Sequence, residues 1–376
     1  MEILTVGIAR KILDVKSREY RRMRTYAKHF EAFHAIVLTR KEHGYGDVLH
    51  DETLNIYPTN SSSRMMMLWD AYRIGKEIAR QKRKSTLIIS AQDPLEIGWL
   101  CFLLSSIKNT CLHVQIHGDY FSSNAWAGKS LLRYARRFFA LVLLKRAVAI
   151  RVVSERIKKS LCSRGISSGR IAVLPIRPEL ESFCRVVYTV KKNPPYTFLY
   201  IGRLVSEKNI TRIVKAFSNI HTKYPDTRLT IVGDGEEKKK IESLIQKLKI
   251  GSSVDIRAWT ENVPNEMADA DVLLLASKHE AYALTLVEAM ATGLPLVTTD
   301  VGCVGELVKD DEHGIVVTEE GVDAYSKAME RMVSDYEFRK ACSENGKKTM
   351  CCKATNSNDE YIREWVSSVS MALQHV

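Results

Sequence analysis

Asp271-Val272-Leu273-Leu274-Leu275-Ala276-Ser277, followed after Lys278 by His279-Glu280-Ala281-Tyr282-Ala283-Leu284-Thr285-Leu286-Val287-Glu288-Ala289-Met290-Ala291-Thr292-Gly293-Leu294-Pro295, reads as a strand, a loop and a helix. The first run is short, almost wholly apolar and ends in a small polar residue, the pattern of a strand buried on both faces in a parallel sheet. Leu284, Val287 and Met290 then recur at helical spacing, and Gly293 followed by Pro295 is a stop signal. Glu280 falls in the loop at the strand's C-terminal end, and Glu288 falls more than a turn into the helix. Between them point the unpaired N–H groups of about Ala283, Leu284 and Thr285. Those amides and the positive helix end suit a phosphate. A carboxylate repels phosphate, so Glu280 and Glu288 are better read as acceptors for hydroxyls on either side of it. Hydroxyl, phosphate, hydroxyl describes a nucleotide sugar. The competing reading makes Glu280 a solvated loop residue and Glu288 a surface helix residue, the usual fate of glutamate. The apolar neighbours of Glu288 on both sides argue against it.

The spacing E-x7-E followed by A-x-A-x-G-x-P resembles the retaining glycosyltransferases of the large GT-B family that use nucleotide-activated sugars. A second stretch carries the same resemblance: Phe198-Leu199-Tyr200-Ile201-Gly202-Arg203-Leu204-Val205-Ser206-Glu207-Lys208-Asn209 is similar to the family's strand, turn and helix start. Leu229 to Gly235, Val254 to Trp259 and Val301 to Leu307 follow in the family's order. The motifs cover roughly residues 196 to 318 and specify a superfamily, not a substrate. The resemblance implies two Rossmann-like, doubly wound parallel-sheet domains facing a cleft. It places donor contacts at Gly202, Arg203, Lys208, Glu280, Ala281, Tyr282, Ala283, Leu284, Thr285 and Glu288, and catalytic roles at Glu280, His117, Arg203 and Lys208. Independently of any family, a guanidinium and an ammonium beside a glycine-permitted turn would neutralise a departing diphosphate. Taken alone, Arg203 and Lys208 are also what surface charges flanking a turn look like.

Composition agrees with this reading. A chain of 376 residues, 45% of them hydrophobic, supports two cores. Nothing approaches the roughly 18 consecutive apolar residues of a membrane span. Met1 to Ile8 reads as a strand and not as a leader, so a cytosolic protein is expected. Eight cysteines without a C-x-x-C pair favour reduced thiols over a disulfide frame or a zinc site.

Strand patterns at 2–8, 35–39, 86–90, 111–117, 149–153 and 171–174 alternate with helical ones, which means a parallel sheet. The run Tyr188-Thr189-Val190-Lys191-Lys192-Asn193-Pro194-Pro195 is the best linker, because paired prolines interrupt regular structure. Domains are therefore expected at 1–190 and 191–357, with an amphipathic segment at 358–376 that the resemblance sends back onto the N-terminal domain.

Charge divides at the same place. Residues 1–190 hold 32 Lys and Arg against 16 Asp and Glu, while residues 191–376 hold 24 against 28. Arg18, Arg21, Arg22, Arg24 and Lys28 share one side of a predicted helix, opposite Tyr20, Met23, Ala27 and Phe30. Lys129, Arg133, Arg136 and Arg137 form a second basic stripe, followed by the apolar run from Phe138 to Leu144. Such faces could lie on anionic lipid, or could be solvated faces over a core. Nucleic acid ranks below both, since no aromatic residues interleave the stripes.

His117 ends a strand and precedes Gly118-Asp119, at the sheet edge where open α/β folds bind ligands. The resemblance puts a histidine there beside the donor sugar. His113 lies on the same strand face and reads as structural. Asp93 ends another strand toward that edge, and Ser154 either belongs to a family motif or caps a helix. The chain departs from the family in holding Ala281 and Ala283 where E-G-x-G is common. It has no glycine-rich loop after the first strand and carries Ile176-Arg177-Pro178 where asparagine-glycine is usual. The expectation is a retaining hexosyltransferase that needs no metal or other cofactor. Its partners would be a nucleotide-sugar donor, a saccharide or lipid-linked acceptor in glycan synthesis and, through the basic helices, the cytoplasmic membrane face. A nucleotide-sugar epimerase or hydrolase, or a catalytically weak scaffolding subunit, are the alternatives.

Overall fold

The computed structural model describes all residues except 82–84, 119, 122–130, 355–357 and 375–376, and describes only the backbone of 131–133, 352–354 and 358. The chain divides into two compact units, Met1–Pro175 with Asn358–Val376, and Ile176–Ser357.

The first unit is built on eight strands: β1 Glu2–Gly7, β2 Ala32–Val37, β3 Leu49–Asp51, β4 Leu54–Pro58, β5 Leu87–Ala91, β6 Thr110–Ile116, β7 Ala149–Val152 and β8 Ile171–Val173. Their order across the sheet is β3-β4-β2-β1-β5-β6-β7-β8. All neighbours pair in parallel except β3 and β4, which form an antiparallel hairpin at the edge. The central strands are buried along nearly their whole length, as a sheet covered on both faces requires.

The second unit holds β9 Tyr196–Ile201, β10 Thr227–Val232, β11 Val254–Arg257, β12 Val272–Leu275, β13 Leu296–Thr299 and β14 Gly314–Val317, all parallel, in the order β11-β10-β9-β12-β13-β14. Phe198, Tyr200, Phe217, Ile213 and Tyr325 centre its core. Each unit is thus a Rossmann-like parallel α/β sheet, and the two together are the GT-B class of fold.

The division after Pro175 comes earlier than the paired prolines suggest. Residues 188–195 are stitched to the second unit: Tyr188 Oη donates to the Asp271 carbonyl at 3.3 Å, and Lys191 Nζ reaches the buried Asp271 carboxylate at 3.0 Å. Arg339 Nη2 donates to the Lys191 carbonyl at 2.6 Å.

The C-terminal helix Asn358–Ser370 supplies an aromatic plug to the first unit. Trp365 is 5% exposed and stacks on Tyr26 at 5.0 Å between centroids, with Phe30 and Phe33 beyond it. The same helix meets a buried cation. Arg151 Nη1 donates to Gln115 Oε1 at 2.8 Å, and its Nη2 reaches the Leu174 carbonyl and Tyr361 Oη at 3.1 and 3.0 Å. Trp365→Ala is expected to cost about 3–5 kcal/mol, the range for deleting a buried tryptophan side chain. Urea unfolding of the full chain would show it, and a loss below 1 kcal/mol would mean the helix is not part of this core.

The first basic helix, Arg18–Ala27, sends Tyr20 and Ala27 into that core, with Met23 packed against it. Arg24 pairs with Asp51 and Glu52 at 2.9 Å each. Its apolar side is therefore consumed internally, and its exposed side is polar. No helix of the described residues is long and apolar enough to cross a membrane.

Candidate active site

In the second unit the strand order reverses between β9 and β12: from β9 the chain winds outward to β10 and β11, and from β12 to β13 and β14. Ligands of open α/β sheets bind at such a reversal, outside the carboxyl ends of the strands. The pairing of β9 with β12 covers only Phe198↔Val272 and Leu199↔Leu273, so the strands stop pairing before their C-terminal ends. Two loops emerge there, Gly202–Lys208 after β9 and Ala276–Ala283 after β12. The Lys278 N–H donates to the Glu207 carbonyl at 2.8 Å and joins them.

Glycines permit the approach. A Cβ on Gly233 would lie 2.0 Å from the Gly202 carbonyl oxygen, and one on Gly235 2.4 Å from that of Leu204. This is why the Gly233-Asp234-Gly235 turn accompanies the Gly202-Arg203 turn.

Lys208 and Glu280, 72 residues apart, meet as a short ion pair in which both side chains are mostly buried. Glu280 Oε1 also accepts from Ser277 Oγ at 2.8 Å. Tyr200 lies beneath, its hydroxyl donating to the Arg203 carbonyl at 2.9 Å, and burial with the nearby Glu280 carboxylate pushes its phenol well above the usual range. The Arg203 side chain is exposed, and among the described residues its guanidinium has no ion-pair partner.

The helix over residues Leu284–Thr292 begins at Ala283, which sits in the left-handed region at φ 64°, ψ 64°. Leu286 N–H turns back to the Ala283 carbonyl at 3.0 Å, so the amides of Leu284 and Thr285 are the ones left open at the helix start. Tyr282 and Ala283 are buried against the loop after β13, where Cys303 N–H donates to the Tyr282 carbonyl at 3.0 Å. A Cβ on Gly302 would stand 3.0 Å from Ala283 Cβ and 2.7 Å from the Tyr282 carbonyl. Gly302 thus makes room for the methyl that a glycine at 283 would lack. Alanine in this conformation is strained by about 1–2 kcal/mol. Ala283→Gly is accordingly expected to stabilise the second unit by about 1 kcal/mol in denaturant unfolding, and a destabilisation would show that methyl packing outweighs the strain.

Glu288 lies on this helix between Val287 and Ala289, both buried. Its carboxyl is pushed up to about 7 by burial alone, and among the described residues it has no hydrogen-bond or ion-pair partner. A desolvated carboxyl with open acceptor capacity is ready for hydroxyl donors.

Of the sequence candidates, Gly202, Arg203, Lys208, Glu280, Ala281, Tyr282, Ala283, Leu284, Thr285 and Glu288 all belong to this unit and cluster at or next to the β9–β12 reversal. His117 belongs to the other unit, just past β6 at its C-terminal edge. Burial, reinforced by the Arg151 charge, lowers its imidazole to about 4, so it is neutral at physiological pH. His113 is wholly buried and bonds Ser90 Oγ at 2.9 Å, the structural role expected of it. Asp93 accepts from the Leu95 N–H at 2.7 Å at the start of the helix Glu96–Leu104. Ser154 caps the helix Glu155–Cys162 through the Ile157 N–H at 3.4 Å. Ser277 escaped the sequence reading as a site residue. Its position, closing an apolar strand beside the Glu280 loop, was the available signal.

In the second basic stripe, Lys129 lies outside the described residues, as does the Arg133 side chain. Arg136 pairs with Glu96 at 2.7 Å, and Arg137 donates to the Phe121 carbonyl at 2.8 Å. No disulfide joins any of the seven cysteines whose side chains are described, and among the described residues no three His, Cys, Asp or Glu converge as a metal site would.

Residues 188–349 match the family described as Glycosyl transferases group 1. The poly(glycerol-phosphate) alpha-glucosyltransferase of Bacillus subtilis is 29% identical over 210 residues, which are 53% of this chain; the chain spans about a third, 31%, of that relative's length. Sucrose-phosphate synthase from Thermosynechococcus elongatus superposes with a TM-score of 0.77 at 18% identity, covering 100% of both chains. HepE from Anabaena, solved in complex with UDP and glucose, gives 0.72 at 15% identity over 98% of this chain and 99% of that one. The family match thus lies within the second unit, over residues 188–349, and the solved structures share the fold along the whole chain.

Proposed function

We propose that the protein transfers a hexosyl unit from a nucleoside-diphosphate sugar, with retention of anomeric configuration, to a saccharide or lipid-linked acceptor in glycan synthesis, and that it does so without a resident metal. The observation that carries this reading is the grouping of Lys208, Glu280, two open helix amides and the unpartnered Glu288 around one strand-order reversal. The UDP and glucose bound by the Anabaena neighbour are of the same chemical class.

Donor binding is then an exchange of partners. The diphosphate takes the Lys208 ammonium from Glu280, and the released carboxylate accepts hydroxyls of the sugar. The acceptor hydroxyl oxygen bonds the anomeric carbon as the bond from that carbon to the diphosphate oxygen breaks; the electron pair of the broken bond goes to the leaving diphosphate, which takes up the acceptor's proton. Arg203, Lys208 and the amides of Leu284 and Thr285 oppose the charge that develops there. Glu288 accepts from the ribose hydroxyls, and neutral His117 offers a ring nitrogen on the acceptor side.

Glu288 gives the scheme a pH signature. Its carboxyl titrates near 7 in the free protein, above its ordinary value, so the stability it contributes is complete below the ordinary glutamate range and is lost as pH rises through 7. Two ribose hydroxyls prefer the carboxylate. Nucleotide affinity is expected to increase about tenfold between pH 6 and pH 8, with proton uptake by buffer, and to be flat in Glu288→Gln. Calorimetry in two buffers checks it; a flat wild-type profile would remove Glu288 from the ribose.

The assay for the whole reading is release of nucleoside diphosphate from UDP-, GDP- and ADP-sugars, with and without EDTA, alongside NMR of the product anomer. Retention and EDTA-insensitive turnover support it. An inverted anomer or abolition by EDTA would overturn those parts.

A further inference from the structure

The helix Tyr336–Ala354 lies along the segment by which the chain enters the second unit, and the two run in opposite directions. Lys192 Nζ is 5.7 Å from the centre of the Tyr336 ring, and Arg339 Nη2 donates to the Lys191 carbonyl at 2.6 Å. A Cβ on Gly293 would stand 3.3 Å from Ser343 Oγ and 3.5 Å from both Lys347 Cδ and Tyr188 Cδ1, so Tyr188 faces Ser343 and Lys347. Each step along the helix is thus a step back along the segment. Ser343, Lys347 and Cys351 recur every four residues and share one helix face. The same register carries Cys351 to Cys184 on the short helix Glu181–Arg185, which comes within 8 Å of the longer helix between Cα atoms.

The two thiols are in side-chain hydrogen-bond contact, and both are half-buried. Burial and the Cys351 thiol raise the Cys184 thiol above its ordinary range, and the Lys347 ammonium opposes them. Two touching thiols ionise one at a time, and a thiolate beside a thiol is what thiol–disulfide exchange requires. Cys101, Cys111, Cys303 and Cys342 are by contrast buried, as inert structural cysteines are. A fully enclosed pair would read as small apolar side chains filling a helix contact; this one is open to solvent.

We propose that Cys184 and Cys351 are a reversible redox site, closing to a disulfide by exchange with a small-molecule disulfide of the glutathione type. One protein thiolate attacks a sulfur of the oxidised reagent, whose S–S bond breaks and releases the first reagent thiolate. The second protein thiolate then attacks the protein-bound sulfur and releases the other. The cysteine pair loses two electrons, the reagent gains them, and the two cysteine protons end on the two reagent thiols. The bond would close almost the whole second unit, Ile176–Ser357, into one covalent loop. It would do so behind Gly293, which ends the helix carrying Glu288. The site stands apart from the donor chemistry and does not depend on it.

The test incubates the full chain with oxidised glutathione, quenches with acid, blocks the remaining thiols and maps the peptides by mass spectrometry. A Cys184–Cys351 link is expected, formed about tenfold faster than glutathione adds to the half-buried Cys162, because the second step is intramolecular. Dithiothreitol should reverse it. Constraining so long a loop should raise the melting temperature by about 5 °C. Cys184→Ser and Cys351→Ser should each abolish link and shift, while Cys352→Ser should leave both unchanged. Cys184→Ala and Cys351→Ala are the second pair of variants should serine fold poorly. A glutathione adduct that persists on either cysteine without closing, a link made through Cys352, or a melting shift that survives Cys184→Ser would overturn the proposal.

Discussion

Glu280→Ala is expected to lower kcat/KM by about a thousandfold, and Glu280→Gln by about a hundredfold, with the fold intact. A mostly buried carboxylate hydrogen-bonded to a charged or hydroxylated partner contributes roughly 1.5–3 kcal/mol. Here one group serves two partners in succession, Lys208 before the donor binds and the sugar after. Glutamine keeps the shape and an acceptor oxygen but holds Lys208 less firmly, so its loss is smaller. Circular dichroism and melting of both variants should match the wild type. Near-normal turnover in Glu280→Ala would remove this residue from the reaction.

Lys208→Met and Arg203→Ala are each expected to lower kcat by about 100-fold, the usual cost of removing one electrostatic contact to a leaving group. Lys208 should behave differently from Arg203 in combination. Because Lys208 and Glu280 contact each other, the double variant Lys208→Met/Glu280→Gln should lose less than the two single losses combined, with a coupling of about 1–3 kcal/mol. Arg203 makes no pair with Glu280, so Arg203→Ala/Glu280→Gln should be closer to additive. Equal additivity in both combinations would mean that the ion pair has no part in the catalytic cycle.

The strand, loop and helix over 271–293 were legible because three independent signals coincide there: a short apolar run, helical spacing of Leu284, Val287 and Met290, and Gly293 as terminator. The reversal between β9 and β12 was not legible, since strand order depends on tertiary packing. For the same reason nothing local in the sequence encodes the meeting of Lys208 with Glu280. The edge hairpin β3–β4 escaped notice because Leu54-Asn55-Ile56-Tyr57-Pro58 alternates over only five residues and closes on proline, while β3 is three residues long. The basic helix Arg18–Ala27 was ambiguous on amphipathicity alone. What decides it is Trp365, more than 300 residues away, which turns the apolar side of that helix into core. Ala283 stands out in the sequence as a departure from glycine, and the accommodation of its methyl by Gly302 lies in a loop whose approach the sequence does not encode locally.

The central claim is that Lys208, Glu280, Glu288 and the helix start at Ala283 form a nucleotide-sugar site. The most direct measurement is the shift in melting temperature of the full chain with UDP-, GDP- and ADP-sugars in EDTA, compared with Glu280→Ala/Glu288→Gln. A ligand at 100 times its Kd stabilises by about 2.7 kcal/mol, which is a shift of several degrees. The account predicts such a shift for one base and sugar in the wild type and its loss in the double variant. No shift with any donor, or an equal shift in the double variant, would contradict it.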